Sequence, residues 1–584
     1  MQIKGKLLGQ VFLILTCIVI FISFSLADYH YASHTGSNEY PYTSWETAAD
    51  SIQNAINAAS PGDTVYVGAG DYDEVLTMID TLALIGMGWD STYIHTDSAH
   101  TDLLTCQYND LIENIHFAHD NFICIYSRTY RSNTIGNCKF TSGDAGILSA
   151  WGVIVVENCI FDGCQDGIND ALGGSDVYVH NCLFANILNQ AIVVESRSSV
   201  VTDCIFRDFP NAASYGIYEY ASTSNIVMHN LFYNMAGRGC QYCDEDFYFT
   251  NNVFYNFHVW NNSATAMEQI SAGIDVSNNA FVKCDIAFFP LNIDTLEIKN
   301  VNLWQNRVDI FYYSDPPPID TVGLVRADPM FYDAEAHDFH LQAFSPLIDS
   351  GNPEILDEDG TRSDIGVFGG PGGTSYEYLD LPPRTPDSLA YRFTGDTLVI
   401  FWKINTEADF YRYIVNRDTI PDFIPWVGNI IAEPETSYFL DINWEPERTY
   451  YYRIAASDNQ GNLSPYSEEL SVRTTAIFGI PISDIIATSI ERSYPNPFNQ
   501  SITIGFTVAN LGPIPVEITI EIFDILGQKI KTLNKERYYP GRYLTRWDGT
   551  DDYGSEAASG VYFVRMQHWG SQLLAKPRKI VLVK

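Results

Sequence analysis

Four acids at recurring positions are the first residues whose types and spacing point to chemistry. Asp170, Glu195, Glu219 and Asp244 each follow a short phrase: Gly167-Ile168, Ala191-Ile192, Gly216-Ile217 and Gly239-Cys240. Aligned on that phrase in stacked repeats, the acids fall near one another, with Tyr218, Tyr220 and Gln241 beside them. Carboxylates roughly 5–9.5 Å apart are what glycoside hydrolysis uses: one protonates the leaving oxygen, the other attacks or activates water. The expectation is a groove in which Asp170, Glu195 and Glu219 are catalytic. Tyr218, Tyr220 and Gln241 would bind substrate, because sugar rings lie well on aromatic faces rimmed by polar groups. Asp244, Glu245 and Asp246 form a run of hard oxygen ligands suited to Ca2+. Ca2+ is the one cofactor this pattern accommodates, and the chemistry requires none. The bland alternative makes the same acids solvated turn residues or a structural Ca2+ site. A lyase would instead need a basic proton abstractor, for which Arg197, Arg207 and Arg238 are the local candidates.

Such a constellation needs a repeat to position it, and one is legible. Glu113-Asn114-Ile115-His116-Phe117, Gly136-Asn137-Cys138-Lys139-Phe140, Glu157-Asn158-Cys159-Ile160-Phe161 and His180-Asn181-Cys182-Leu183-Phe184 are variants of one phrase. It continues through Asp203, His229, Asn251, Asn278 and Asn300, with anchor spacings of 23, 21, 23, 22, 26, 22, 27 and 22 residues. A period near that length signals a solenoid. The units lack a leucine lattice and are too short for paired helices; they hold β-branched and aromatic runs broken by Asn and Gly. Asn tolerates the left-handed backbone of a tight bend, and Asn side chains on successive coils can hydrogen-bond as a ladder. After the bend, His116 and Lys139 point out, so the flanking positions point in. An internal Phe stack (117, 140, 161, 184, 206, 232, 254, 281) should therefore run beside a stack of small residues containing Cys138, Cys159, Cys182 and Cys204.

The cysteines fit that reading. Of 11, Cys17 precedes the rest by far and ten lie between Cys106 and Cys284. The four ladder cysteines recur 21, 23 and 22 residues apart, which is a repeat position and not a pairing pattern. Buried free Cys behaves as a small hydrophobe, so reduced thiols are expected. Cys240 and Cys243 resemble a CxxC but have no second one, which argues against a metal site.

Composition sets the class. The 584 residues carry 33 Lys+Arg against 72 Asp+Glu, a net charge of −39. That balance argues against nucleic acid and against an anionic membrane surface, both of which need a basic face. Between residues 103 and 300 there are 8 Lys+Arg against 21 Asp+Glu, so a polyanionic sugar would be repelled unless Ca2+ bridged it. Lys4 and Lys6, the apolar run Leu7 to Phe24 and the small-x-small Ser25-Leu26-Ala27 read as a secretory signal cleaved before Asp28.

The repeat resembles the right-handed parallel β-helix of the pectin-lyase-like superfamily. Ser51 to Ala59 reads as an amphipathic helix with Ile52, Ala55, Ile56 and Ala59 on one face, followed by Pro61-Gly62-Asp63 and Gly70-Asp71-Tyr72. This order is similar to the opening of related β-helix proteins, where the helix caps the solenoid; an uncapped end would expose strand edge and core. Asp328-Pro329-Met330-Phe331, Ser345-Pro346-Leu347 and Asp364-Ile365-Gly366 resemble a closing segment. Asp357, Glu358, Asp359 and Asp364 lack full EF-hand spacing, so a closing turn is expected there rather than a Ca2+ loop. The family's enzymes are poorly matched. Gln165-Asp166-Gly167 resembles part of a pectinesterase site, but the Arg-Trp phrase is missing, and the Gly-His-Gly and Arg-x-Lys of polygalacturonases are absent from the solenoid.

Past Pro382-Pro383-Arg384-Thr385-Pro386, residues 386–475 resemble a fibronectin type III module, with Trp402 in an early strand and Tyr450 at the tyrosine-corner position. Residues 490–584 resemble the C-terminal sorting domain of the type IX secretion system. The matching phrases are Tyr494-Pro495-Asn496-Pro497-Phe498-Asn499, Ile522-Phe523-Asp524-Ile525-Leu526-Gly527, Trp547-Asp548-Gly549, Gly560-Val561-Tyr562 and Lys579 to Lys584. The resemblance implies export to the medium or cell surface and outer-membrane secretion machinery as a partner. The fold expected is all-β: signal 1–27, a right-handed parallel β-helix over 28–372, a linker 373–385, two Ig-like β-sandwiches at 386–475 and 490–584, and a second linker 476–489 between them. A monomer is expected. Function then divides between a non-catalytic binder of extracellular polysaccharide, favoured by the missing family motifs, and a glycoside hydrolase or polysaccharide lyase.

Overall fold

The structure is a computed structural model. It describes residues 27–584 apart from 97–100, 129, 142, 171–172, 196, 221–223, 242–246, 259–263, 271–273, 291–295, 313–318, 395–396, 446, 475–487, 509–515, 539–540, 569–571 and 574. The expected secretory signal, Ala27 excepted, lies outside these residues. The chain divides into two compact units, one ending at Leu381 and the other spanning Pro382–Lys584.

In the first unit, parallel strands stack into three long sheets. Sheet I has 13 strands, from Tyr29–Ala32 to Ile319–Val322; sheet II has 11, from Gly70–Asp73 to Asn302–Trp304; sheet III has 11, from Leu76–Thr77 to Val308–Ile310. Each complete coil contributes one strand to each sheet, and the partial coils at the two ends add one strand each to sheet I, so residues one repeat apart become register partners, as in Phe140↔Phe161↔Phe184↔Phe206.

The bend between sheets I and II is the repeat anchor. Asn114, Asn137, Asn158, Asn181, Asp203, His229, Asn251, Asn278 and Asn300 all have φ between 50° and 61°, the left-handed region that short polar side chains tolerate best. His229 occupies the same bend and is held there by its ring, whose Nε2 lies 2.9 Å from the Gly369 carbonyl. The residue after each anchor points inward. Cys138, Cys159, Cys182 and Cys204 are buried and unbridged. The row continues as Asn230, Asn252 and Asn279, also buried. The backbone N–H of Cys159 approaches Cys182 Sγ at 3.4 Å, that of Cys204 donates to Asn230 Oδ1 at 2.9 Å, and that of Asn230 to Asn252 Oδ1 at 2.9 Å. Asn230 Nδ2 donates to the Val201 and Met228 carbonyls, the equivalents of the Val179 and Thr202 carbonyls that Cys204 Sγ approaches. Thiol and amide thus satisfy the same turn carbonyls.

Beside this row the Phe rings stack with centroid separations from 4.4 to 5.6 Å and interplanar angles of 15° or less, from Phe117 to Phe281. The stack explains the small residue that opens the Gly-Ile phrase. A Cβ on Gly167 would stand 2.9 Å from the Phe184 ring, and one on Gly239 2.4 Å from Phe254.

The helix Ile52–Ala58 covers the first coil with Ile52, Ala55 and Ile56 buried. Its N-terminus is capped twice: Ser51 accepts from Asn54 N–H, and the Glu74 carboxylate accepts from the N–H groups of Ile52 and Gln53. The closing segment corrects the expected layout. It packs along the outer face of sheet II: Phe331, Phe339, Leu341, Leu347 and Ile365 cover Leu231, Tyr233, Val253, Tyr255, Ala280 and Val282. The anchor residues hold it, with Asn251 Nδ2 donating to the Asp364 and Gly366 carbonyls and Asn278 Oδ1 accepting from Asn352 N–H. Residues 373–381, expected as linker, are part of this packing. Tyr376 OH accepts from Leu341 N–H, and Ala343 N–H donates to the Leu379 carbonyl.

The second unit holds two pairs of antiparallel sheets. A three-stranded and a four-stranded sheet enclose Trp402, Tyr413, Tyr452 and Ile454. A further pair encloses Trp547, Ile504, Ile520 and Val564. In the latter, the Tyr-Pro-Asn-Pro-Phe phrase clamps the last strand. Asn496 Oδ1 accepts from Val581 N–H, and the Phe498 and Val581 backbones are hydrogen-bonded at 2.9 Å.

Candidate functional site

The strands of sheet III place the candidate residues, and they divide them. Ile168, Ile192, Ile217 and Cys240 are register partners, as the Gly-Ile alignment requires. The acids do not follow at one spacing. Asp170 and Glu219 lie two residues after that position, whereas Glu195 lies three after it. Successive side chains of a strand point to opposite faces, so Asp170 and Glu219 turn inward and Glu195 turns outward. Glu219 pairs with Val194 and Glu195 with Tyr220. Asp170 is 0% and Glu219 1% exposed. The three expected catalytic acids therefore do not share a groove, a correction with a purely geometric cause.

The two inward acids belong to a polar seam at the corner between sheets III and I. Asp170 Oδ2 accepts from Ser175 N–H at 3.3 Å, and Ser175 Oγ is 2.9 Å from Ser149 Oγ. Ser199 Oγ donates to Glu219 Oε1 at 2.7 Å, and Ser199 N–H donates to Asn225 Oδ1 at 3.0 Å. Higher in the seam, Asn133 Nδ2 donates to Ser127 Oγ and Asp110 N–H to Asn133 Oδ1. Burial pushes the carboxyl of Asp170 up to about 6, with the charge of Glu195 adding to the effect; it does the same to Asp110. Asp170 Oδ1 is buried without a hydrogen-bond partner, the position a proton would occupy.

What remains on the outer face of sheet III is a compact polar and aromatic patch. Tyr215, Arg238 and Thr265 form one row across three coils, and Tyr218, Gln241 and Glu268 the next. Tyr215 and Tyr218 meet edge to face at 5.5 Å, and the Arg238 guanidinium lies 5.2 Å over the Tyr215 ring. Arg238 pairs through Nε with Glu268 and donates through NH1 to the Ala212 carbonyl at 2.8 Å. Gln241 is 4% exposed and its Oε1 has no hydrogen-bond partner. Two of the expected substrate-binding residues, Tyr218 and Gln241, are thus adjacent. Tyr220 lies in the same strand, but its side chain is outside the described residues, as are Asp244, Glu245 and Asp246. The Glu268 partner was missed from sequence because it follows no Gly-Ile phrase; its only signal is the register Gln241↔Glu268. Of the basic residues considered for a lyase, Arg197 pairs with Asp176, Arg207 with Asp208 and Arg238 with Glu268.

Asp203 hydrogen-bonds His180 and raises its pKa, whereas burial lowers that of His229. Asp357 and Asp364 are turn residues, as expected: Asp357 Oδ2 accepts from Asp364 N–H, and Asp364 accepts from Asp349 N–H and Tyr378 OH.

Comparisons with known proteins agree with this architecture. The family described as a right handed beta helix region matches residues 103–254, and that described as a secretion system C-terminal sorting domain matches residues 492–582. No curated protein matches the chain. Among solved structures, it is similar to the catalytic unit of a GH87 alpha-1,3-glucanase from Streptomyces thermodiastaticus, at 15% identity over 53% of this chain and 71% of that one, with a TM-score of 0.35. It is similar to the FN1–FN3 domains of chicken CNTN1 at 16% identity, covering 34% of this chain and 66% of that one, with a TM-score of 0.14. Dimeric latent PorU from Porphyromonas gingivalis matches at 18% identity over 38% and 22%, with a TM-score of 0.16. Fold and sorting domain define a class: an all-β protein with a right-handed parallel β-helix and a type IX sorting domain at its C-terminus. A chain with that tail is secreted or displayed at the cell surface, and it meets the secretion machinery on the way.

Proposed function

We propose that the protein binds extracellular polysaccharide on the outer face of sheet III and does so without catalysis. The observation that carries this reading is the outward aromatic pair Tyr215 and Tyr218, edge to face at 5.5 Å, with the Arg238 guanidinium over the Tyr215 ring and Gln241 next to Tyr218 in register. Gln241 and the Arg238–Glu268 pair supply a polar rim for a sugar hydroxyl. The tyrosine faces offer a platform for the ring beside it. A hydrolase reading is weaker, because Glu268 is engaged by Arg238, Asp170 and Glu219 point inward, and Glu195 is left without either of them as a partner on the outer face.

Residues 386–475 act in this reading as a fibronectin type III-like spacer. The three-plus-four sheet arrangement fits that type, as does Tyr450 OH accepting from Glu445 N–H a few residues upstream. Residues 1–27 serve as a cleaved export signal. The test is a screen of the purified secreted protein against plant, algal and microbial polysaccharides, scoring both retention and release of reducing or unsaturated ends. Retention that Tyr218→Ala and Gln241→Ala each weaken about tenfold, with no cleavage, is the expected result. Cleavage of any retained glycan would overturn the non-catalytic reading.

A further inference from the structure

A second cluster lies on the outer face of sheet II, away from the patch just described. Asp71, Tyr93, His116 and Lys139 are register neighbours on four successive coils. Tyr93 stacks on His95 at 5.1 Å and meets His116 edge to face at 4.7 Å. The other ring contact is made by Trp89, from the turn that feeds sheet II: Lys139 Nζ lies 5.4 Å from its centroid. Trp89 is 39% exposed. His116 Nε2 is 2.7 Å from Thr141 Oγ1, and burial together with the Lys139 charge lowers its pKa to about 4. The ring is therefore a neutral hydrogen-bonding group at ordinary pH. Asp71 is occupied by His95 at 2.7 Å. Lys139 makes no ion pair among the described residues, although acids outnumber bases 72 to 33 in the chain.

The face has limits. Below Lys139 the same row runs Ile160, Leu183 and Ile205, and from Leu231 onward the closing segment covers it. What is open is a track of coils about 4.8 Å apart, with a cation, a neutral imidazole and an indole face at one end and apolar side chains at the other. An unpaired ammonium beside an aromatic face matches a sugar that carries a carboxylate: the ring covers the indole and the carboxylate takes the ammonium. The long-range field of a chain with net charge −39 disfavours a continuous polyanion. We propose that Trp89, Tyr93, His116 and Lys139 form a second glycan site, which holds an isolated uronate residue on an otherwise neutral polysaccharide. This site stands independently of the one on sheet III.

The experiment uses the full secreted protein and glucuronoxylan, whose uronates are isolated side groups. Comparison ligands are the same polymer with its carboxyls reduced, polygalacturonate, and a sulfated galactan free of carboxylate. Binding to glucuronoxylan should fall about tenfold on carboxyl reduction, about five- to tenfold in Lys139→Gln and Lys139→Met, and about tenfold in Trp89→Ala. It should weaken with added salt. The tenfold loss on carboxyl reduction should persist in Tyr218→Ala and vanish in the Lys139 variants, which separates failure of this site from failure of the sheet III site. Thermal melts of the Lys139 variants matching that of the wild type exclude unfolding as the cause. Absence of binding to glucuronoxylan, equal binding of the reduced polymer, Lys139 variants that bind normally, or tighter binding of polygalacturonate or sulfated galactan would each overturn the proposal.

Discussion

Replacing Asp170 by Asn separates a structural acid from a catalytic one. In the fold, burial holds the Asp170 carboxyl up to about 6, against about 3.9 in an unfolded chain. For an acid raised in this way, the folded state binds the proton more tightly than the unfolded state does. The stabilising contribution is complete below about pH 4 and is lost as the pH rises through about 6. A difference of about two pKa units corresponds to about 3 kcal/mol, and screening at the corner reduces this to about 1–3 kcal/mol. Asn keeps the acceptor that Ser175 N–H needs and carries no charge to bury. Asp170→Asn should therefore raise the urea midpoint at pH 8 by the equivalent of about 1–3 kcal/mol and change it little at pH 4. The wild type should be more stable at pH 4.5 than at pH 7.5, helped by Asp110 and Asp364, which burial also pushes up to about 6. The assay is urea unfolding followed by tryptophan fluorescence across that range. A variant destabilised at pH 8, or a wild-type midpoint flat from pH 4 to 8, would refute the reasoning.

Other consequences are independent of that seam. Phe184→Ala should cost about 3–5 kcal/mol, because it empties a position flanked by rings at 4.8 and 5.0 Å and opens a gap in an otherwise continuous stack; a melting temperature within a degree of wild type would contradict this. Cys138, Cys159, Cys182 and Cys204 should resist iodoacetamide until the chain unfolds, since all four are buried, and mass spectrometry after native alkylation checks it. Cys159→Ser should cost no more than about 1 kcal/mol, because the Glu157 carbonyl 3.3 Å from Sγ is available to the hydroxyl; Cys159→Leu should cost about 1–3 kcal/mol by overpacking. Deleting residues 490–584 should leave the protein in the periplasm, and its appearance in the medium at wild-type levels would remove the sorting role from this domain.

The repeat was readable because a solenoid converts sequence period directly into neighbour relations. Spacings of 21 to 27 residues between Asn114 and Asn300 became adjacent coils, and the left-handed anchors, the inward cysteines and the Phe stack all followed from period and strand alternation. The acid groove failed on the same rule. Asp170 and Glu219 stand two residues after their aligned Ile and Glu195 three, so parity alone separates them. That signal was present in the chain, but reading it required knowing that each strand runs on unbroken past its Ile.

Other features depend on contacts across long sequence separations, which no local pattern contains. The pairing of Arg238 with Glu268, the meeting of Trp89 with Lys139 and the docking of residues 331–365 on sheet II belong to this group. The continuation of the cysteine row as Asn230, Asn252 and Asn279 is intermediate: the positions were visible in the repeat, but the shared task was not. Thiol and amide have little in common as sequence symbols. They become equivalent only once the coils are stacked, when each faces a turn carbonyl of its own coil and both a carbonyl and a backbone N–H of the preceding one.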